Sequence, residues 1–145
     1  MPIDLTKIKH FSPASDPAIN WDLVDQTALE MLDAAREKAG VPFKITSTYR
    51  TPGHSLAVGG LNNDSHVEDK CSAFDVAYGD TLTLYKIVTA AIAAGFPRVG
   101  VNPFNMHVHL DNSQALPSPR FWVETPEQLM VKSLIKNGYL VEKAH

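Results

Sequence analysis

Three short segments alternate apolar and polar residues with period two, and this alternation limits the fold more than any other feature of the chain. Phe43 to Tyr49 alternates in this way, Ala73 to Tyr78 places Phe74 and Val76 opposite Ala73 and Asp75, and Met106 to Leu110 places Val108 and Leu110 opposite His107 and His109. Side chains two apart on a strand share a face, so each segment reads as a strand with one buried and one polar face. Strands of a doubly wound parallel sheet are buried on both faces and run continuously apolar, so the alternation argues against that architecture.

Helical periodicity fills the gaps. Trp21, Val24, Ala28, Met31, Leu32 and Ala35 recur at helical spacing from Trp21 to Lys38, and Gly40 supplies a left-handed stop. Asp80 is placed to cap a helix from Thr81 to Ala94, with Leu82, Tyr85, Val88 and Ile92 as one stripe and Gly95 as its end. Short strands at Arg98–Val101 and Met106–Leu110 join through a turn at Asn102-Pro103, and 112–119 reads as a loop. Thr125-Pro126-Glu127-Gln128 has the form of a capping box with proline at the first helical position, predicting a helix to about Lys136. The class expected is α+β, a small antiparallel sheet with packed helices. At 145 residues one domain over 1–145 is expected.

Composition removes several function classes. A net charge of -3 without a basic run gives no footprint for nucleic acid or for an anionic membrane surface. No apolar stretch approaches spanning length, and Met1 to Phe11 lacks the continuous apolar core of a secretory signal, so a soluble, monomeric chain made in the cytoplasm is expected. The single cysteine, Cys71, rules out both an internal disulfide and a thiolate-rich structural zinc site.

Chemistry concentrates in two places. His66 and Asp75 flank one polar stretch, and His107, His109 and Asp111 fall on one face of a strand. Two imidazoles and a carboxylate from distant segments hold one zinc and leave a fourth position open, the ligand count of a hydrolytic site. The other imidazole is then close enough to hydrogen-bond substrate or a developing oxyanion. Asp75, on the polar face of a packed strand, needs a cationic partner, and zinc is one candidate. The stretch from Arg50 to Ser72 is long, polar and carries Gly53, Gly59 and Gly60, a length that in a compact domain is usually functional. Phe121 and Trp122 read as core aromatics in preference to a cleft wall.

Ile45-Thr46-Ser47-Thr48-Tyr49-Arg50-Thr51-Pro52, Val58-Gly59-Gly60, Ser65-His66, Ala73-Phe74-Asp75 and His107-Val108-His109-Leu110-Asp111 together resemble the zinc D-Ala-D-Ala carboxypeptidase family. These peptidoglycan peptidases share a fold with the hedgehog signalling domain and include phage endolysins. The resemblance implies that His66, Asp75 and His109 bind Zn2+, that His107 is an auxiliary histidine, and that Arg50 receives a substrate carboxylate or carbonyl. Tyr49 and Ser65 would contact a peptidoglycan peptide as well. Two departures stand out. Residues 67–74 separate His66 from Asp75, a longer gap than the family's, so Glu68 or Asp69 could compete as ligand. Met106 stands where many members carry an acidic residue, which would leave His107, Asp111 or Glu68 to accept the proton of the attacking water.

The expected activity is hydrolysis of an amide in peptidoglycan stem or cross-linking peptides, by an endopeptidase or a carboxypeptidase. Such an enzyme would reach the cell wall after release, or as part of a phage particle. The alternatives are a catalytically silent zinc module that binds cell-wall peptides, and a zinc hydrolase acting on another amide.

Overall fold

The computed structural model describes residues 3–51 and 71–127. Over these the chain is α+β. Helix α1 (Gln26–Ala39) leads into β1 (Lys44–Thr51), then β2 (Cys71–Ala77), helix α2 (Thr81–Ala93), β3 (Arg98–Asn102), β4 (His107–Asp111) and β5 (Arg120–Val123). The strands form one sheet in the order β1-β2-β4-β3-β5. Every pairing is antiparallel except the last, in which β5 runs parallel to β3.

Local signals set the helix ends. The Asp25 carboxylate caps α1 by accepting from the Ala28 N–H at 2.8 Å, and Gly40 closes it at φ 69°, a left-handed conformation that glycine adopts without steric cost. The helix thus begins later than the periodicity predicts. Trp21 and Val24 precede it in a turn segment and still pack on the core. Asp80 caps α2 through the Thr83 N–H, at the predicted position.

Both helices lie on the face of the sheet that carries Ile45, Phe74, Val76, Val99, Val108 and Leu110, and Leu29, Leu32 and Ile87 complete the core between them. Removing each such side chain from water contributes about 1.5–3 kcal/mol. One expectation is corrected here. The buried face of α2 is Ile87, Ala90 and Ala91, whereas Leu82, Tyr85 and Ile92 are more than half exposed. Two adjacent alanines let the helix backbone settle closely on its neighbours, and the larger side chains are turned outward.

The sheet is also one strand wider than expected. Arg120 to Val123 adds β5 beside β3, with Phe121 exposed and Trp122 on the opposite face from the core. Pro126 and Glu127 are helical, where the Thr125-Pro126 signal puts a helix start. The remainder of that predicted helix lies outside the described residues.

Candidate metal and catalytic site

Strand register builds the site on the face opposite the helices. One row across the sheet holds Asp75, His109, Gly100 and Trp122. The row above it contains Ala73, Asp111, Arg98 and Arg120, and the row below contains Ala77, His107 and Asn102. Phe74, Val76, Val108 and Leu110 alternate with these residues into the core and are fully buried, which fixes the register. A slip by one residue would drive the imidazoles into the core. The polar face opens into a cleft of about 500 Å³ whose lining includes Tyr49, Asp75, His107, His109, Trp122 and Glu124.

Asp75 is 7% exposed and lies at the centre of the cleft floor. Its Oδ2 accepts a short hydrogen bond from the Tyr49 hydroxyl. Its Oδ1 is buried and has no hydrogen-bond partner, a costly state for a carboxylate oxygen. Two ring nitrogens face that oxygen, Nδ1 of His109 at 3.6 Å and Nε2 of His107 at 3.8 Å. Both distances are too long for hydrogen bonds. They are close to the spacing of two ligands that share one zinc at about 2.0–2.2 Å each. The orphaned Oδ1 and the Nδ1 of His109 therefore fit a metal cation between them.

The other side of His109 is tightly held. Its Nε2 lies 2.7 Å from Oδ2 of Asp111, and a carboxylate there only accepts, so Nε2 keeps a proton and Nδ1, facing Asp75, is the nitrogen that binds a metal once the ring gives up its second proton. Asp111 is 1% exposed and also accepts from Nε of Arg98 at 3.0 Å and from the Ser113 N–H at 3.0 Å. Arg98 in turn donates to the Pro117 carbonyl and lies over the Trp122 ring. Orienting a ligand histidine through its far nitrogen is a recurrent device in metal sites.

The charges follow from this packing. Burial pulls the His109 pKa down, but hydrogen bonding to Asp111 and the neighbouring Asp75 outweigh it, bringing the imidazole to about 9 in the metal-free chain. Burial raises Asp75, yet its bond to Tyr49 and the adjacent imidazoles leave it below the usual carboxylate range. Tyr49 is pushed well above its ordinary value by burial and by Asp75, with a further contribution from Glu124.

Aromatic rings form the walls. Tyr49 stacks near His109 with centroids 6.1 Å apart, and Trp122 tilts against the other side at 5.6 Å. The indole lies directly on Gly100, where any Cβ would collide with it. The cleft-wall role of Trp122 replaces the core reading.

The residues singled out from sequence fall into three groups. Asp75, His107, His109, Asp111 and Tyr49 come together. Arg50 does not line this cleft. It follows Tyr49 on β1 and so projects from the opposite face, where its guanidinium donates to the Leu23 carbonyl beside Val24 and Ser72. Arg98 is the arginine that reaches the cleft. His66 and Ser65, together with Glu68, Asp69 and His54, lie outside the described residues. Among the described residues no group of three His, Cys, Asp or Glu side chains is gathered to hold a metal ion. His10 pairs with Glu37 on α1 and takes no part. Arg98, Asn102 and Asn105 are cleft residues that sequence reasoning missed, and so is Glu124. The last follows β5, a strand too short to show a period.

A family model described as Peptidase M15 matches residues 7–111, well over half of the chain. No curated protein and no solved structure matches it.

Proposed function

This chain belongs to the Peptidase M15 family, and from that premise we propose that it is a zinc-dependent metallopeptidase cleaving an amide bond in peptidoglycan stem or cross-linking peptides. The observation that carries the reading is the orphaned Oδ1 of Asp75, buried at the floor of an open cleft with Nδ1 of His109 turned toward it. Asp75 and His109 would hold the metal, with His66 as third ligand, leaving a fourth position for the reaction. Zinc so held supplies Lewis acidity toward a carbonyl oxygen and lowers the pKa of water.

The chain's own residues do the rest. Asp111, clamped by Arg98, keeps the proton of His109 on Nε2 and so keeps Nδ1 available. The Tyr49 hydroxyl fixes Oδ2 of Asp75, leaving Oδ1 as the oxygen that faces the metal position. His107, one-quarter exposed beside Asp75, is placed to donate to the oxyanion of a tetrahedral intermediate, worth roughly 3–4 kcal/mol for one donor. Tyr49 and Trp122 would bracket an extended peptide, and its carbonyls would meet the exposed Asn105 at the rim. The reading has the protein act on the cell wall after release, or from within a phage particle, as a monomer.

The test is zinc content together with release of new amino groups from purified peptidoglycan. The expected result is about one zinc per chain with cleavage, both lost in His109→Ala. Zinc without cleavage in the wild type would transfer the assignment to a silent wall-binding module. Retention of zinc by His109→Ala would refute the ligand assignment.

A further inference from the structure

Among the described residues three carboxylates line the cleft, and two of them belong to the metal position already described. Asp75 gives one oxygen to Tyr49 and turns the other to the metal position. Asp111 is buried and accepts from Arg98 and the Ser113 N–H while it holds His109. Met106, beside His107 at the turn, offers no proton acceptor and is 41% exposed. The third carboxylate is Glu124, which lies beyond the span of the family match.

Its position is set by backbone pairing. The Glu124 N–H donates to the Val101 carbonyl at 2.9 Å, one step past the Val123–Val101 pair, which extends β5 into the row of Asn102 and His107. Asn102, between them, is buried and turns its side-chain oxygen to the N–H groups of Phe104 and Asn105. Glu124 and His107 thus face each other across two strand spacings, about 10 Å between backbones, which their side chains span with room for a reacting group between.

We propose that Glu124 is the acid–base residue of this site. The inference rests on the peptidase reading. As the water oxygen bonds to the carbonyl carbon, Glu124 accepts the proton that the water releases. When the C–N bond breaks, the same carboxyl returns that proton to the leaving nitrogen and ends unprotonated; the products are a carboxylic acid, which keeps the second hydrogen of the water, and a free amine, and these exchange that proton to leave a carboxylate and an ammonium. A carboxylate supplied by the edge strand would thus do the work for which Met106 has no group.

Glu124→Gln, which keeps shape and removes the basicity, is the test, with Glu124→Asp beside it. Zinc content, thermal midpoint, kcat and KM on a wall-derived peptide, and the pH–rate profile are measured for each. The expected result is a kcat lower by about 10²–10⁴-fold in the Gln variant, with zinc, midpoint and KM at wild-type values. The acidic limb of the pH profile should vanish, and the Asp variant should recover part of the rate. Wild-type kcat in the Gln variant would overturn the assignment while leaving the peptidase reading intact, and so would loss of its zinc. A wild type that binds zinc and cleaves no amide would end the peptidase reading, and this role with it.

Discussion

β2 and β4 present two unlike surfaces from the same residues in alternation. Toward the helices they show Phe74, Val76, Val108 and Leu110, all fully buried and held by shape and exclusion of water. Toward the cleft they show Asp75, His107, His109 and Asp111, held by a chain of directional contacts that leaves one oxygen unsatisfied. The first surface tolerates no void and does no chemistry. The second keeps a costly open valence, which the strands can sustain because the first surface locks their register. Stability and reactivity are therefore separated by a single Cα–Cβ direction, and substitutions one residue apart should have unrelated effects.

Phe74→Ala should give the largest change. It removes a fully buried ring from the core side of Asp75 and should destabilise the fold by about 3–5 kcal/mol, read by denaturant unfolding. Zinc stoichiometry of the fraction still folded should be unchanged. Loss of zinc in folded Phe74→Ala would show that the two faces are not separable.

Asp111→Asn tests the other face. It should weaken zinc by about 10–100-fold in a chelator competition, since the proton on Nε2 of His109 loses its anionic acceptor. An unaltered affinity would make Asp111 a partner of Arg98 alone.

The smallest effect is a pH dependence of the metal-free protein. The folded-state pKa of His109, about 9, lies above the unfolded value near 6.5, so its contribution is complete below about pH 6.5 and is lost as pH rises through 9. The thermal midpoint of the metal-free wild type should fall across that window, and that of His109→Gln should fall less. Parallel curves would mean that the imidazole carries no charge between its two carboxylates.

Much of this arrangement is legible in the sequence where it depends on neighbours along the chain. Asp80 as a cap, Gly40 as a stop and the common face of His107, His109 and Asp111 follow from local geometry alone. The residues that were misplaced depend on partners far away in the chain. The buried face of α2 was read from its largest apolar side chains, but Ala90 and Ala91 allow the closest packing and turn Leu82, Tyr85 and Ile92 outward. Tyr49 and Arg50 were both assigned to substrate, although consecutive residues on a strand cannot share a face. β5 has four residues, too few to show alternation, and its parallel pairing with β3 is fixed by contacts across the sheet. Without that strand Trp122 reads as a core aromatic and Glu124 carries no signal in the sequence.

The seat of Trp122 on Gly100 gives the cleft an optical reporter of its own. The chain has two tryptophans, and Trp21 is tied to the Asp16 carbonyl, outside the cleft. Trp122 lies 5.6 Å from the imidazole that would exchange a proton for a metal ion. A charged imidazolium quenches indole emission by accepting an electron, and a neutral, ligated ring does so far less. Filling the site should therefore brighten the protein, so that metal uptake, ligand exchange and peptide binding can all be followed in the unlabelled chain.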